Sequence, residues 1–193
     1  MSKIVNVIKM APKALLVLAP GCEEMEVVIA TSVLRRGGIG VTMAGLAGNV
    51  PHKCILEVSI APDCGLESVR DQTFDAIVLP GGFPGSEGMC ASAVLGDILR
   101  RHEASGALIA AICAGPLALK AHGIGLKKRI TSHPYRAELL KQDYEYSEDR
   151  VVIDGQLITS QAPGTAFDWA LAIVRNLMGD EKVEEIKPRM PKV

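Results

Sequence analysis

The sequence predicts an α/β fold in which a mostly parallel sheet carries helices on both faces. Two observations indicate it: short apolar runs alternate with stretches of helical spacing, and the runs end at glycine, proline or small residues. Strands that are apolar throughout are typical of parallel sheets buried on both faces. The 193 residues are 48% hydrophobic and 22% charged. This composition excludes a disordered chain and suits one domain over residues 1–193, with a flexible N-terminal extension at 1–10.

The first strand and helix illustrate the signals. Residues 13–19 form an apolar run that stops at Pro20-Gly21, as a buried parallel strand does. Residues 23–36 have helical spacing, with acids in the first turn and Arg35-Arg36 in the last, which matches the helix dipole. The spacing predicts one buried side formed by Met25, Val28, Ile29, Val33 and Leu34.

The later elements follow from the same signals. Further strands are predicted over 39–44, 55–60, 76–79 and 107–112, and a hairpin over 151–159 with its turn at Asp154-Gly155. The strand at 55–60 rests on alternating apolar residues alone. Helices are predicted over 94–102, 116–122, 163–178 and 181–186.

The composition excludes several classes of function. A formal net charge of -1 and an aromatic content of 4% argue against nucleic-acid and membrane partners. The five cysteines are odd in number and lack C-x-x-C spacing, which favours a reducing compartment over a disulfide framework. Because the sequence has no phosphate loop, dinucleotide fingerprint or metal-ligand spacing of histidines, no cofactor and no metal are predicted.

The position of Cys113 in the sequence is one that favours a reactive thiol. It directly follows the buried run 107–112 and precedes the helix 116–122, with Ala114 and Gly115 small enough for a tight turn. This pattern is typical of a nucleophile elbow, where N–H groups at a helix start favour a thiolate and stabilise an oxyanion. A free cysteine is also often an inert, buried apolar residue, so a binding module with a passive thiol is one alternative.

Two more side chains follow predicted strands, at the sheet edge where ligands bind. Glu26 has apolar neighbours in the first turn of its helix, so we expect its carboxyl to point inward and remain protonated. Glu23 and Glu24 are expected to be exposed capping acids. His133, in a loop before Pro134, is a candidate general base. Glu26 and His133, each taken alone, are as well explained by structural roles.

Five motifs occur in order along the chain. They are EEME at 23–26, AGLAG at 44–48, LPGG at 79–82, AAICAGP at 110–116 and PGT at 163–165. Over residues 11–188 this combination resembles the parkinsonism-associated protein deglycase family of the ThiJ/PfpI superfamily. The resemblance implies a flavodoxin-like three-layer sandwich with a nucleophile elbow, a homodimer and no required cofactor.

The resemblance also implies roles for single residues. Cys113 matches the nucleophile and oxidation-sensitive thiol, Glu26 the protonated acid beside it, and His133 the nearby histidine. Gly82 and Ala114 match the backbone donors of the oxyanion site. The protease-like branch of the superfamily has histidine at the position of Ala114, so a peptidase is not expected here.

The sequence thus leads to a hypothesis of a cysteine-dependent, cofactor-independent glyoxalase and protein deglycase. Its substrates would be methylglyoxal, glyoxal and early glycation adducts of proteins, in the cytoplasm and also in nuclear and mitochondrial pools. The alternative is a non-enzymatic redox-sensing chaperone that acts through a Cys113 sulfinate. Three departures from the family pattern bear on anion binding, pocket width and the dimer contact; they are Leu56, Phe83 and Gln161-Ala162.

Overall fold

The computed structural model describes residues 10–190, and the extension predicted for 1–10 lies outside the described residues apart from Met10. The strands are β1 (Lys13–Leu18), β2 (Gly40–Gly45), β3 (His52–Lys53), β4 (Ser59–Ile60), β5 (Cys64–Gly65), β6 (Ala76–Leu79), β7 (Leu108–Ile112), β8 (Arg129–Ile130), β9 (Glu145–Tyr146), β10 (Val151–Asp154) and β11 (Leu157–Ser160). The α-helices are α1 (Glu24–Arg36), α2 (Phe83–Ala91), α3 (Ala93–Ser105), α4 (Pro116–Ala121), α5 (Ala137–Leu140), α6 (Ala166–Met178) and α7 (Asp180–Ile186). Short 3₁₀ helices cover Leu66–Val69, Pro134–Arg136, Pro163–Thr165 and Lys187–Arg189.

A seven-stranded sheet forms the centre of the fold, in the order β10-β11-β7-β6-β1-β2-β5. Its pairings are parallel except that of β10 with β11, which closes one edge as an antiparallel hairpin. The helices flank this sheet; α1 packs on α6, and α2 packs on α4. The predicted mostly parallel α/β sandwich is therefore confirmed.

The core consists of the central strands and the helix faces against them. β6, β7 and β11 are buried along their whole length, and only Lys13 is exposed in β1. Trp169 of α6 is fully buried and donates its indole N–H to the Ile158 carbonyl at 3.2 Å. Because β1, β6 and β7 run parallel, the loops that follow them meet at one edge of the sheet.

Most predicted elements are confirmed, but the strand at 55–60 is wrong. Only Ser59–Ile60 is extended there, and it pairs antiparallel with His52–Lys53 in a separate small hairpin. Ile55, Leu56 and Val58 are exposed. Their alternation reflects an apolar surface loop and not one face of a core strand.

The predicted buried side of α1 is also partly wrong. Met25 and Val28 are 52% and 54% exposed, whereas Glu24 and Glu26 face inward. The helix is rotated about its axis from the orientation that apolar spacing predicts, which turns two carboxyls toward the ends of the strands. In the described part of the chain, no helix combines the length and apolar character needed to cross a membrane.

Candidate active site

Cys113 occupies a strained turn between β7 and α4. Its φ is 62°, in the left-handed region that residues other than glycine rarely adopt. Strong local constraints hold this conformation: the Cys113 N–H donates to the Ser160 carbonyl at 3.0 Å, and the His133 N–H donates to the Cys113 carbonyl at 2.8 Å. The predicted nucleophile elbow is present, and the thiol is 9% exposed rather than sealed in the core.

Gly81 marks the point where the site residues converge. A Cβ atom added to Gly81 would lie 2.5 Å from the Cys113 Cβ, 2.8 Å from the Ala114 nitrogen and 2.9 Å from the Glu26 Oε2. All three distances are shorter than packed atoms tolerate, so only glycine fits here. The loop after β6 is thereby held against the elbow, where the backbone N–H groups of Gly82 and Ala114 act on the Cys113 sulfur and lower its pKa.

Glu26 lies beneath the thiol with no exposure to solvent. Its Oε2 accepts a hydrogen bond from the Gly81 N–H at 2.6 Å. Its Oε1 is buried and has no hydrogen-bond partner in the described part of the chain, so it is the free atom of a carboxyl that lies close enough to Cys113 to affect the pKa of both groups. Burial raises the pKa of Glu26 to about 8, so the carboxyl is protonated at neutral pH and can donate a hydrogen bond.

The thiol itself differs from the sequence-based expectation of a lowered pKa. Burial, followed by repulsion from an ionised Glu26, raises the pKa of Cys113 to about 12, whereas the N–H groups of Gly82 and Ala114 lower it. Desolvation of the sulfur outweighs these donors and the short helix behind them. Since Glu26 is protonated below about pH 8, the repulsion is absent at neutral pH and a proton donor faces the sulfur instead.

The other two acids of the EEME motif are not the exposed caps that were predicted. Glu23 and Glu24 are only 8% and 7% exposed. The Glu23 Oε2 accepts from the Glu26 N–H at 2.8 Å and so caps α1. Glu24 accepts from the Leu56 N–H at 3.1 Å, which ties the loop between β3 and β4 to the start of α1.

His133 lines the same pocket as Cys113. Its Nδ1 accepts a hydrogen bond from the Tyr135 N–H at 3.3 Å, and its ring centroid lies 5.0 Å from that of Tyr135. An accepting Nδ1 places the imidazole proton on Nε2. The His133 side chain thus caps the 3₁₀ helix Pro134–Arg136 and lines the pocket at the same time.

The pocket at the elbow has a volume of about 250 Å³. Cys113, Gly82, Ala114 and His133, all predicted as site residues, line it. Phe83, which the sequence analysis tied to the width of the pocket, also lines it. Sequence analysis did not place three further polar and aromatic lining residues there; they are Glu23, Tyr135 and Arg136. Tyr135 and Arg136 follow His133, so nearness to a predicted residue was the available signal for them.

The remaining cysteines lie outside this pocket. Burial raises the pKa of Cys22 to about 12 and that of Cys54 to about 11. Within residues 10–190, no group of three or more histidine, cysteine or acidic side chains is placed to hold a metal ion.

Comparisons of the sequence with protein families and with known proteins all lead to the same family. The model of the DJ-1/PfpI family matches residues 12–176. Protein dj-1beta of Drosophila melanogaster is 50% identical over 92% of this chain and 95% of its own length. The glutathione-independent glyoxalase DJR-1.2 of Caenorhabditis elegans is 43% identical over 91% of this chain and 95% of its own length.

A solved structure agrees with these sequence matches. The crystal structure of Drosophila melanogaster DJ-1beta superposes with a TM-score of 0.93 at 49% identity, covering 95% of this chain and all of that one. The chain therefore belongs to the DJ-1/PfpI family.

Proposed function

We propose that this protein is a glutathione-independent glyoxalase that converts small α-oxoaldehydes to α-hydroxy acids. One observation carries the proposal: Cys113 lines the pocket on a strained elbow, with two backbone N–H groups and a buried, protonated carboxyl grouped around its sulfur. The Caenorhabditis elegans relative, named as such a glyoxalase, supports the same reaction class. Proposed site residues are Cys113, Glu26, His133, Gly82 and Ala114, as the sequence predicted.

The chemistry for methylglyoxal begins with addition of the Cys113 sulfur to the aldehyde carbon. An S–C bond forms, the carbonyl electron pair moves to oxygen, and that oxygen takes up the thiol proton, which gives a hemithioacetal. The Gly82 and Ala114 N–H groups stabilise the negative charge that develops on this oxygen. Because burial raises the pKa of the thiol, little free thiolate is present at neutral pH, and the addition must be coupled to transfer of the thiol proton.

An internal redox step follows, with no external oxidant. Removal of the proton on the former aldehyde carbon gives an enediol, and protonation of the neighbouring carbon gives a lactoyl thioester. The first carbon is oxidised and the second is reduced. Water then cleaves the S–C bond to release lactate and the thiol. Glu26 and His133 exchange the protons in this sequence.

Lactate formation from methylglyoxal in metal-free, thiol-free buffer tests the proposal. We expect lactate to appear at a rate proportional to the protein concentration, without added glutathione. Prior alkylation of the protein with iodoacetamide should stop it. Absence of lactate above the protein-free control would contradict the glyoxalase function.

The proposal extends to protein deglycation, cytoplasmic action and a homodimer. The same attack of sulfur on carbon would remove early adducts of these aldehydes from proteins. For the dimer, exposed apolar side chains of α1 (Met25, Val28) lie beside the exposed loop of Ile55 and Leu56, which Glu24 ties to that helix. A second copy of the chain is the partner that we propose for this continuous apolar face.

A second candidate function, redox sensing, is favoured by the contact between Glu26 and Cys113. A protonated carboxyl and two N–H groups can hydrogen-bond the oxygens of a Cys113 sulfinate and retain the thiol at that oxidation state. At Cys54, by contrast, the carboxylates of Glu24 and Glu23 raise the thiol pKa and would repel a sulfinate.

Intact-mass and peptide mass spectrometry after mild hydrogen peroxide treatment tests this second function. We expect a gain of two oxygen atoms at Cys113 before Cys54 is modified. Glu181→Gln, which changes an exposed acid of α7, should retain this selectivity, whereas Glu26→Ala should lead beyond sulfinate to sulfonate. Equal oxidation of all five thiols would contradict a sensor role.

A further inference from the structure

A positively charged side chain, that of Arg136, lines the candidate active site beside the proposed catalytic groups. Arg136 ends the 3₁₀ helix Pro134–Arg136 directly after His133. Its guanidinium carbon lies 3.9 Å from the centroid of the Phe83 ring, and both side chains line the pocket of Cys113. Stacking on an aromatic face fixes the guanidinium plane while its N–H groups remain available at the edge.

The charge of Arg136 is not matched by a neighbouring acid. Within the described residues, its guanidinium makes no ion pair and no side-chain hydrogen bond, whereas Arg129 and Arg150 pair with Asp149 and Asp168. The carboxyl that lines the pocket, that of Glu23, is engaged at the start of α1, where the helix dipole matches a negative charge. The unmatched charge at the pocket is therefore positive.

We propose that Arg136 selects α-oxoaldehydes that carry a carboxylate at the far end of the carbon chain. This inference rests on the glyoxalase proposal above, because it assumes that the aldehyde carbon reaches Cys113. Phe83 and Arg136 line the same pocket as Cys113, and the inference places the opposite end of a short substrate against them when its aldehyde is at the elbow. A planar guanidinium binds a carboxylate through two N–H groups, and a pocket of about 250 Å³ suits a short acyclic chain.

The five-carbon compound 4,5-dioxovalerate has this chemistry. Its reaction follows the sequence given for methylglyoxal: sulfur adds to the aldehyde carbon, the proton shift oxidises that carbon and reduces its neighbour, and water cleaves the thioester. The net change is addition of one water, and the product is 2-hydroxyglutarate. The substrate carboxylate itself takes no part in bond making and serves recognition only.

A comparison of dioxovalerate with its neutral methyl ester tests the inference. We expect wild-type kcat/KM to favour the anion by about 10-fold at low salt, with a smaller preference at high salt. Arg136→Gln should remove this preference. Arg36→Gln makes the same charge change on an exposed residue at the far end of α1 and should retain it. An unchanged preference in Arg136→Gln would overturn the inference.

A binding measurement separates this inference from the glyoxalase proposal. Levulinate keeps the ketone and the carboxylate but has no aldehyde, so it should slow alkylation of Cys113 without being consumed. Methyl levulinate should protect less, and Arg136→Gln should abolish the difference. If methylglyoxal is not converted but levulinate protects in an Arg136-dependent way, the anion site stands and the glyoxalase function fails. If methylglyoxal is converted and levulinate protects wild type and Arg136→Gln equally, the anion site is excluded.

Discussion

Replacing Cys113 with serine is expected to reduce lactate formation from methylglyoxal by at least about 10³-fold, because the attacking sulfur is lost. A serine hydroxyl is nearly isosteric and fits the same turn, so the N–H groups of Gly82 and Ala114 should remain in place. Its oxygen is a weaker nucleophile, and its addition to the aldehyde gives a hemiacetal whose proton shift leads to an ester in place of the more easily hydrolysed thioester. Lactate released in metal-free, thiol-free buffer is the quantity to measure.

The matched control is Cys90→Ser, which changes a half-buried thiol outside the pocket. This variant should keep wild-type turnover, and thermal unfolding should show that both variants are folded. Serine at 113 with turnover near that of the wild type would contradict the covalent mechanism. If Cys113→Ser and Cys90→Ser both lost activity, the loss would be an unspecific effect of replacing a cysteine and would not identify Cys113 as the nucleophile.

The central strands were predictable because the residues of each strand are nearly all apolar, which by itself indicates burial. The predicted strands at 13–19, 39–44, 76–79 and 107–112 agree with the structure within one residue at each end. Strands covered on both faces need no polar side, so each is a continuous apolar run with a sharp end. Cys113 was predictable for the same reason, since the position after such a strand leads to the ligand-binding edge.

Helix α2 was missed because its local sequence disfavours a helix. Phe83–Ala91 contains Pro84, Gly85 and Gly88, all poor helix formers in a helix interior. Tertiary packing against α4 decides its conformation. Phe83 lines the pocket from the start of this helix, so its contact with Arg136 was missed together with the helix, although its effect on pocket width was expected.

The orientation of α1 shows that the spacing of apolar residues does not predict the buried side of a helix correctly at this site. The spacing favours burial of Met25 and Val28, yet Glu24 and Glu26 are buried. Each buried carboxyl has a backbone donor from another segment, the Leu56 N–H for Glu24 and the Gly81 N–H for Glu26. Such compensation comes from residues distant in sequence, and a periodicity argument cannot detect it. The inward orientation of Glu26 was predicted from its apolar neighbours in the first turn of α1.

Replacing Glu26 with glutamine is expected to lower kcat for methylglyoxal by about 10²- to 10³-fold while making the thiol easier to ionise. Glutamine keeps the shape, an acceptor for the Gly81 N–H and a donor toward the sulfur, but it cannot transfer protons between the two carbons. Because an ionised Glu26 raises the pKa of Cys113, its removal should lower that pKa. Lactate formation and the pH dependence of iodoacetamide alkylation are measured on the same protein.

Glu26→Gln should thus lower kcat and at the same time make the Cys113 thiol easier to ionise. This combination distinguishes a role of Glu26 in proton transfer from a role in activating the thiol. If Glu26 served mainly to activate the sulfur, glutamine would shift Cys113 alkylation to higher pH and reduce turnover in parallel. The matched control is Glu24→Gln, which removes one carboxyl in the same turn without touching Cys113, and it should change kcat by less than about threefold. A Glu26→Gln variant with turnover near that of the wild type would contradict the assigned role.

The same substitution has a consequence for stability whose sign follows from the raised pKa. Burial raises the pKa of Glu26 from 4.5 to about 8, so between these values the folded protein holds a proton that the unfolded chain has released. The free energy of unfolding contributed by this carboxyl is fully present below pH 4.5, the pKa in the unfolded chain. It is lost as the pH rises through about 8, the pKa in the folded protein. Glu26→Gln should therefore flatten the decline of the free energy of urea unfolding across this pH range. An unchanged decline would mean that Glu26 is ionised in the folded protein, and its role as a proton donor to the sulfur would then fail.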